Sequence, residues 1–303
     1  SLNLPPSSSS VIRPKRHFDT ILYTGNNTTG RSITDLEFKP DLVWIKDRSS
    51  GDHGWYDSVR GVSKRIKTNS SGAESDVPIG SFDQNGFSFA SEMYYNANSA
   101  NYVAWCWKAG GATTVSNSDG NNTSQVSANT EAGFSILTYT GNGTNNSNVT
   151  MGHGLGKKPG WVIIKNRDST SDWVVWVTGV GGSADDNQKN LGLNVNHSAG
   201  QNSSQFRYAD SSIIAVRDPD SNGNVKVNKS GDNYVAYCWT DIPGYSKFGQ
   251  YKGNASVDGT FVNLGFRPAF VLFKSTSASE NWQLKDYKRN GYNDQNHTIF
   301  ANG

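Results

Sequence analysis

Apolar positions along this chain fall in short runs that alternate with polar ones or fill a few consecutive places, and turn clusters separate the runs. In the N-terminal third the runs are residues 20–23, 42–46, 81–82, 86–90 and 102–107. Between them lie Gly25-Asn26-Asn27, Ser49-Ser50-Gly51-Asp52 and Asp83-Gln84-Asn85-Gly86. That pattern predicts short strands and loops in an all-β domain. No stretch sustains a period of 3.6 residues; residues 61–67 and 187–194 predict at most one helical turn each. The run after Pro40 is apolar on both faces, Leu42 and Trp44 on one and Val43 and Ile45 on the other, so it should be a central, buried strand. In Tyr102-Val103-Ala104-Trp105-Cys106-Trp107 the faces differ. Tyr102, Ala104 and Cys106 make a face that another sheet or loop can approach closely. Val103, Trp105 and Trp107 make a large face that must be buried within the domain or between domains.

These elements recur. Tyr-Thr-Gly-Asn stands at Tyr23 to Asn26 and again at Tyr139 to Asn142, and Tyr251 opens a weaker copy, Tyr-Lys-Gly-Asn. Each copy precedes a Pro-led apolar run ending in Lys: from Pro40 to Lys46, from Pro159 to Lys165 and from Pro268 to Lys274. A Trp-bearing segment follows each run. Two trains close with Tyr-Val-Ala-aromatic-Cys-Trp, at residues 102–107 and 234–239. Tyr139 follows Tyr23 by 116 residues and Tyr251 follows Tyr139 by 112. A solenoid repeats every roughly 20–50 residues, so each unit is domain-sized. The expected organisation is a linker or docking arm over residues 1–17, a first β-sandwich over 18–111, a polar hairpin or linker over 112–131, a second sandwich over 132–243 and a partial third over 244–303. The third reaches Trp282 without a closing strand, so residues beyond Gly303 or a neighbouring chain are expected to cover that edge. Units two and three should pack together through their short join, with unit one attached more loosely. The recurring Lys46, Lys165 and Lys274 predict stems packed on the sheet with their ammonium groups in water.

Composition adds limits. Hydrophobic residues make up 34% and charged residues 18% of 303, and the net charge is +2. There is no electrostatic case for nucleic acid or an anionic membrane surface. No apolar run reaches the roughly 18 residues of a membrane-crossing helix. Cys106 and Cys238 hold equivalent places in two units, which makes a disulfide between them geometrically unfavourable and predicts two buried thiols.

Candidate chemistry is sparse. The repeat allows each special residue to be compared with its counterparts, and the carboxylates fail that comparison. Asp41 corresponds to Gly160 and Ala269, Asp47 to Asn166 and Ser275, and no matched pair suits glycoside hydrolysis. No nucleophile elbow, zinc-binding helix motif or phosphate loop occurs, and the five histidines lack ligand spacing. A non-enzymatic role is the expectation. Asp218, Asp220 and Asn222 match the opening of a calcium loop, but Lys229 occupies the twelfth position where a bidentate Glu belongs; an Asn-Gly hairpin turn explains the same residues. Trp55, Trp173, Trp176 and Trp282 lie near polar loops; core packing is the leading reading of each, and they are also the candidates for stacking on a glycan.

The strings from Tyr139 to Thr144, Phe38 to Lys46, Tyr102 to Gly111 and Gly244 to Gly249 together resemble a repeat domain of virion structural proteins. Those proteins occur in tailed phages of marine bacteria and cyanobacteria and are often labelled tail-fibre-like. The resemblance spans about residues 18–303. It implies tandem antiparallel β-sandwiches of jelly-roll or concanavalin-like type, without catalytic residues. It also implies a place on the virion exterior as a tail or capsid appendage, with other virion proteins as partners, oligomerisation most naturally as a trimer, and a host-surface glycan or protein as the contact. A purely architectural decoration, a bacterial adhesin or filament, and a polysaccharide-degrading enzyme are the alternatives.

Overall fold

A computed structural model of the chain describes residues 13–90, 93–144, 147–180, 189–200, 205–217, 226–289 and 297–303. The fold is all-β, as the pattern predicts, with helical geometry among the described residues confined to two 3-10 turns, Pro14–Arg16 and Met93–Tyr95. Every paired strand named here runs antiparallel. Residues 61–67 carry the short strand Lys64–Arg65 in place of a helical turn.

Units one and two share a main sheet of the same topology. In unit one the order is Phe18–Thr24, Asn101–Trp107, Leu42–Asp47, Gly54–Asp57. In unit two it is Val115–Asn117, Ser124–Asn129, Phe134–Thr140, Asn233–Trp239, Trp161–Asn166, Val174–Val177. The closing strand therefore lies between the first strand and the Pro-led strand, although it comes last in the train. The registers coincide. Leu42 and Phe18 both face Trp107, as Trp161 and Phe134 both face Trp239. The hairpin expected from the turn between Val115 and Val126 forms, with those two residues paired, and it extends the sheet of unit two as an integral part.

Each main sheet has two apolar faces, and they enter different cores. In unit one Tyr102, Ala104 and Cys106 face a second sheet of Ser32–Ile33, Gly86–Ser88 and Ser81–Asp83, where Phe82, Phe87 and Phe89 complete the sandwich. In unit two Tyr234, Ala236 and Cys238 face Val149–Gly152, Ile213–Val216 and Phe206–Ala209 in the same way. Both thiols are free and buried. The opposite faces meet one another: Trp44, Trp55 and Trp105 of unit one, Ile163, Trp173 and Tyr237 of unit two, and Trp282 and Leu284 of unit three form one continuous core. The large face of the closing strand is thus buried between units. This corrects the expectation of a loosely attached unit one, because three of its indoles are interior to the assembly of all three.

The Tyr-Thr-Gly-Asn motif fastens the first strand to the closing strand. Tyr23 stacks on Tyr102 with centroids 5.1 Å apart, and Tyr139 stacks on Tyr234 at 5.0 Å. The two leading hydroxyls donate to the carbonyls of Tyr95 and Val227. The glycine admits a neighbouring backbone: a Cβ on Gly25 would stand 1.9 Å from the Ala97 carbonyl oxygen, and one on Gly141 2.2 Å from that of Lys229. The Asn26 and Asn142 amides then donate to Asn96 Oδ1 and Asn228 Oδ1. In unit three the main sheet consists of Phe270–Phe273, Gln283–Asp286 and Ile299–Phe300. No strand covers the outer edge of Phe270–Phe273 among the described residues. Tyr251 is 57% exposed, and nothing stands within 4 Å of a Cβ on Gly253.

The lysines that end the Pro-led strands differ from expectation. Their ammonium groups are turned in to loop carbonyls: Lys46 Nζ donates to the carbonyls of Ser50 and Gly51, Lys165 Nζ to Ser71 and Asn166, and Lys274 Nζ to Ser275 and Ala278. Lys165 is fully buried, and burial pushes its pKa down to about 8. Lys46 is covered by the Ser50-Gly51 loop after its strand and Lys165 in part by Ser71 of unit one, whereas Lys274 stays half-buried.

Candidate functional site

The structural alignment of the three Trp-bearing strands places Trp55, Val175 and Leu284 at one position. Two residues earlier in each train stand His53, Trp173 and Trp282. All three are locked locally in the same way. Their amides donate to the side-chain oxygens of Asn69, Asn194 and Asn302 at 3.2, 3.0 and 2.9 Å. Their rings then reach across a boundary. Trp173 Nε1 of unit two donates to the Lys67 carbonyl of unit one at 3.0 Å. Trp282 Nε1 of unit three donates to the Gly192 carbonyl of unit two at 2.8 Å. His53 Nε2 of unit one lies 3.0 Å from the Phe300 carbonyl of unit three. The three acceptors are themselves equivalent, each following the residue that pairs with the Trp-bearing strand (Ile66, Leu191 and Ile299). The contacts form a closed ring in which each unit grips the next in one rotational sense.

The tautomer of His53 follows from its partners. Trp44 Nε1 donates to Nδ1 at 2.8 Å, so the proton sits on Nε2 and is given to Phe300. Burial first, and the charge of Lys46 second, push its pKa down to about 3. A second proton on Nδ1 would face the indole N–H.

A second set of inter-unit bonds runs in the same sense. Tyr237 of unit two donates to Asp57 Oδ2 of unit one at 2.5 Å, and Arg60 Nε donates to the same oxygen. The residue equivalent to Tyr237 in unit one, Trp105, donates through Nε1 to Asp286 Oδ2 of unit three at 3.1 Å, where Arg289 repeats the role of Arg60. Unit two has Val177 and Val180 at the corresponding places. The Asp57–Arg60 pair continues to Glu74 at 2.9 Å, and Glu74 in turn receives Nε and Nη2 of Arg167 at 3.0 Å each. Burial works to raise the Glu74 carboxyl, but the two guanidinium groups outweigh it and hold the pKa below the ordinary value.

The four tryptophans expected to stack on a glycan are not available for it. Trp55, Trp173 and Trp282 lie in the inter-unit core, with Trp55 edge-on to Trp173 at 5.6 Å, and Trp176 stacks on Phe206 inside unit two at 4.7 Å. All four are at least 96% buried. They begin or belong to inward-facing strands, and the polar loops beside them cover the strand ends without turning the rings outward. Residues Asp218, Asp220 and Asn222 lie outside the described residues. Among the described residues no three His, Cys, Asp or Glu side chains gather as metal ligands would. His153, shortly before the Pro-led strand of unit two, is buried: it accepts from the Leu155 amide through Nδ1 and offers Nε2 to the Asp210 carbonyl. Asp41, the carboxylate without counterparts, is a loop clamp that accepts from Ser58 Oγ and from the amides of Ala109 and Gly111.

A concavity of about 690 Å³ lies where unit three meets units one and two. Its lining includes the aromatic residues Trp107, Trp161, Trp239 and Phe270, and its one carboxylate among the described residues is Asp19. That carboxylate already accepts from Tyr287 Oη at 2.8 Å. Residues 13–303 match the model of a family described as a domain of unknown function, DUF7483. The chain belongs to that family. No curated protein and no solved structure matches it. In this DUF7483 chain, therefore, the residue-level geometry is what bears on function. Sequence reading missed the inter-unit ring, yet two of its signals are in the sequence. Asp-x-x-Arg occurs at Asp57 and Asp286, and an apolar residue precedes an Asn by three places at Ile66, Leu191 and Ile299.

Proposed function

We propose that the protein is a non-enzymatic structural component of a phage virion, an external tail or capsid appendage whose task is architectural. The observation that carries this reading is the inward direction of the aromatic side chains. Of the four tryptophans that a carbohydrate-stacking surface would need, Trp55, Trp173 and Trp282 hold the three units together and Trp176 packs inside unit two. A body closed by one cyclic bond set and braced by a second in the same sense suits a part that must keep its shape outside a cell. The resemblance of the Tyr-Thr-Gly-Asn, Pro-led and closing strings to virion repeat domains supports the placement. Other virion proteins, and further copies of the chain in a trimer, are the partners in this reading. Contact with a host surface would fall to the Asn-, Ser- and Asp-rich loops, without the four tryptophans.

The non-enzymatic part is supported by the groove, whose lining among the described residues offers a single, already bonded carboxylate where glycoside hydrolysis needs two. The test is direct. Mass spectrometry and immunogold labelling of gradient-purified particles should find the chain on the exterior; particles that lack it overturn the placement. Incubation of the purified protein with host-surface polysaccharide should release no reducing ends, and their release overturns the non-enzymatic assignment.

A further inference from the structure

Unit two carries a polar cluster that unit one lacks. At the end of its Pro-led strand stands Asn166, fully buried, where unit one has Asp47 and unit three Ser275. The Asn166 side-chain oxygen accepts from the amides of Asp168 and Ser169, both at 2.9 Å, as Asp47 Oδ1 accepts from those of Ser49 and Ser50. The turn needs only that oxygen, so an aspartate serves it in unit one. Unit two adds an amide nitrogen, and it also changes two residues just before the closing strand. Lys229 and Asp232 stand where unit one has Ala97 and Ala100. The Gly141 and Gly25 amides donate to the carbonyls of Asp232 and Ala100, and the Tyr234 and Tyr102 hydroxyls accept from the amides of Lys229 and Ala97. One carboxylate oxygen gathers the set. Asp232 Oδ2 accepts from Asn166 Nδ2 at 2.9 Å, Lys229 Nζ at 3.2 Å and Ser169 Oγ at 2.6 Å. Two other groupings, Lys67-Asp52-Asn69 and Lys226-Asp172-Asn194, lack this arrangement. There the lysine and the amide nitrogen take opposite oxygens of the carboxylate, and the asparagine oxygen accepts from a single backbone amide among the described residues.

We propose that Lys229 and Asn166 join in an intramolecular isopeptide bond, with Asp232 as the proton carrier. Lys229 Nζ attacks Asn166 Cγ, the bond from Cγ to Nδ2 breaks, and Nζ takes its place. Both protons lost by the lysine ammonium pass through Asp232 to the departing nitrogen, which leaves as an ammonium ion. Atoms and charge balance without an oxidant or a cofactor. The geometry meets three needs of this step. The attacking and departing nitrogens share one carboxylate oxygen, so a proton taken from the first is within reach of the second. The Asp168 and Ser169 amides stand within the roughly 2.7–3.1 Å of an oxyanion hole, aimed at the oxygen where negative charge develops. Burial of Asn166 shields its carbonyl carbon from water, the competing nucleophile. The bond closes a loop between positions 63 residues apart and constrains the unfolded chain as a disulfide does, in any redox compartment. It is a property of unit two and does not rest on the virion reading.

The test is mass spectrometry of the intact 303-residue protein, held under native conditions until its mass is constant. The protein should weigh one ammonia less than its sequence, and digestion should release a branched peptide joining Asn166 to Lys229. Lys229→Arg keeps a positive charge beside Asp232 but has no amine to react, so it should hold the full mass. Asp232→Asn should slow formation of the bond by about a hundredfold or more. Full mass in the wild-type protein, with no branched peptide, overturns the proposal. So does a loss of ammonia that persists in Lys229→Arg, which marks a succinimide at an Asn-Gly step. A branched peptide through Asn69 or Asn194 in place of Asn166 overturns the choice of site, and an unchanged rate in Asp232→Asn overturns the role of the carboxylate. The branched peptide is read in the wild-type protein, so the decisive result does not depend on either variant folding.

Discussion

Units one and two and unit three begin with nearly the same four residues, and those residues sit in opposite environments. Tyr23 and Tyr139 are buried against a closing-strand tyrosine, whereas Tyr251 is more than half exposed. Gly25 and Gly141 are jammed against a carbonyl, whereas Gly253 faces open space. The motif is therefore half of a fastening, and the closing strand supplies the other half. What the third unit does share with the others is the ring. Its Trp282, Asn302, Asp286 and Arg289 make the bonds that Trp173, Asn194, Asp57 and Arg60 make elsewhere. The difference teaches that attachment between units and completion of a sandwich are separate functions of the repeat.

The largest expected effect comes from the ring. Asp57→Ala leaves Arg60 buried with its charge uncompensated at that contact and Tyr237 without its acceptor. Breaking one side of a buried pair costs about 3–5 kcal/mol, readable in urea unfolding. Asp286→Ala should cost a similar amount, and a loss within 1 kcal/mol or so for both would mean the ring contributes little. Next come the glycines, none of which has a positive φ, so the comparison isolates crowding. Gly25→Ala and Gly141→Ala should each cost about 3 kcal/mol, because backbone stands in the way of the methyl. Gly253→Ala should change stability by no more than about 0.5 kcal/mol. Equal costs at the three sites would dissolve the distinction between fastened and open motifs.

Acid gives a smaller effect. The folded state holds His53 near pKa 3, below the ordinary value of 6.5. Between these values the unfolded chain binds the proton and the folded chain does not, so stability is lost as pH falls below about 6.5. The slope reaches about 1.4 kcal/mol per pH unit, or roughly 2 kcal/mol by pH 5. His53→Gln, which keeps an acceptor for Trp44 and a donor for Phe300, should flatten this part of the curve; an unchanged acid slope would remove His53 from the account.

Much of the fold was legible because sheet patterns are local. Alternation in Tyr102 to Trp107 assigned both faces of the closing strand, and Val115 and Val126 pair as their turn implies. The tryptophans pack in cores, the leading reading of each, and their candidacy for a glycan fails because sequence proximity to polar loops says nothing about ring direction. The ring was illegible for a different reason: His53 and Phe300 are 247 residues apart, and the acceptor is a carbonyl that every residue possesses. The ammonium groups of Lys46, Lys165 and Lys274 were misplaced because their acceptors are likewise backbone carbonyls, fixed by loop paths rather than residue types.

The central claim is that the three units share one aromatic core closed by cyclic contacts. Differential scanning calorimetry of the intact protein tests it most directly, by comparing the calorimetric with the van't Hoff enthalpy. The account requires one transition with the two enthalpies equal. A resolved earlier transition, with unit one or unit two melting independently, would contradict it.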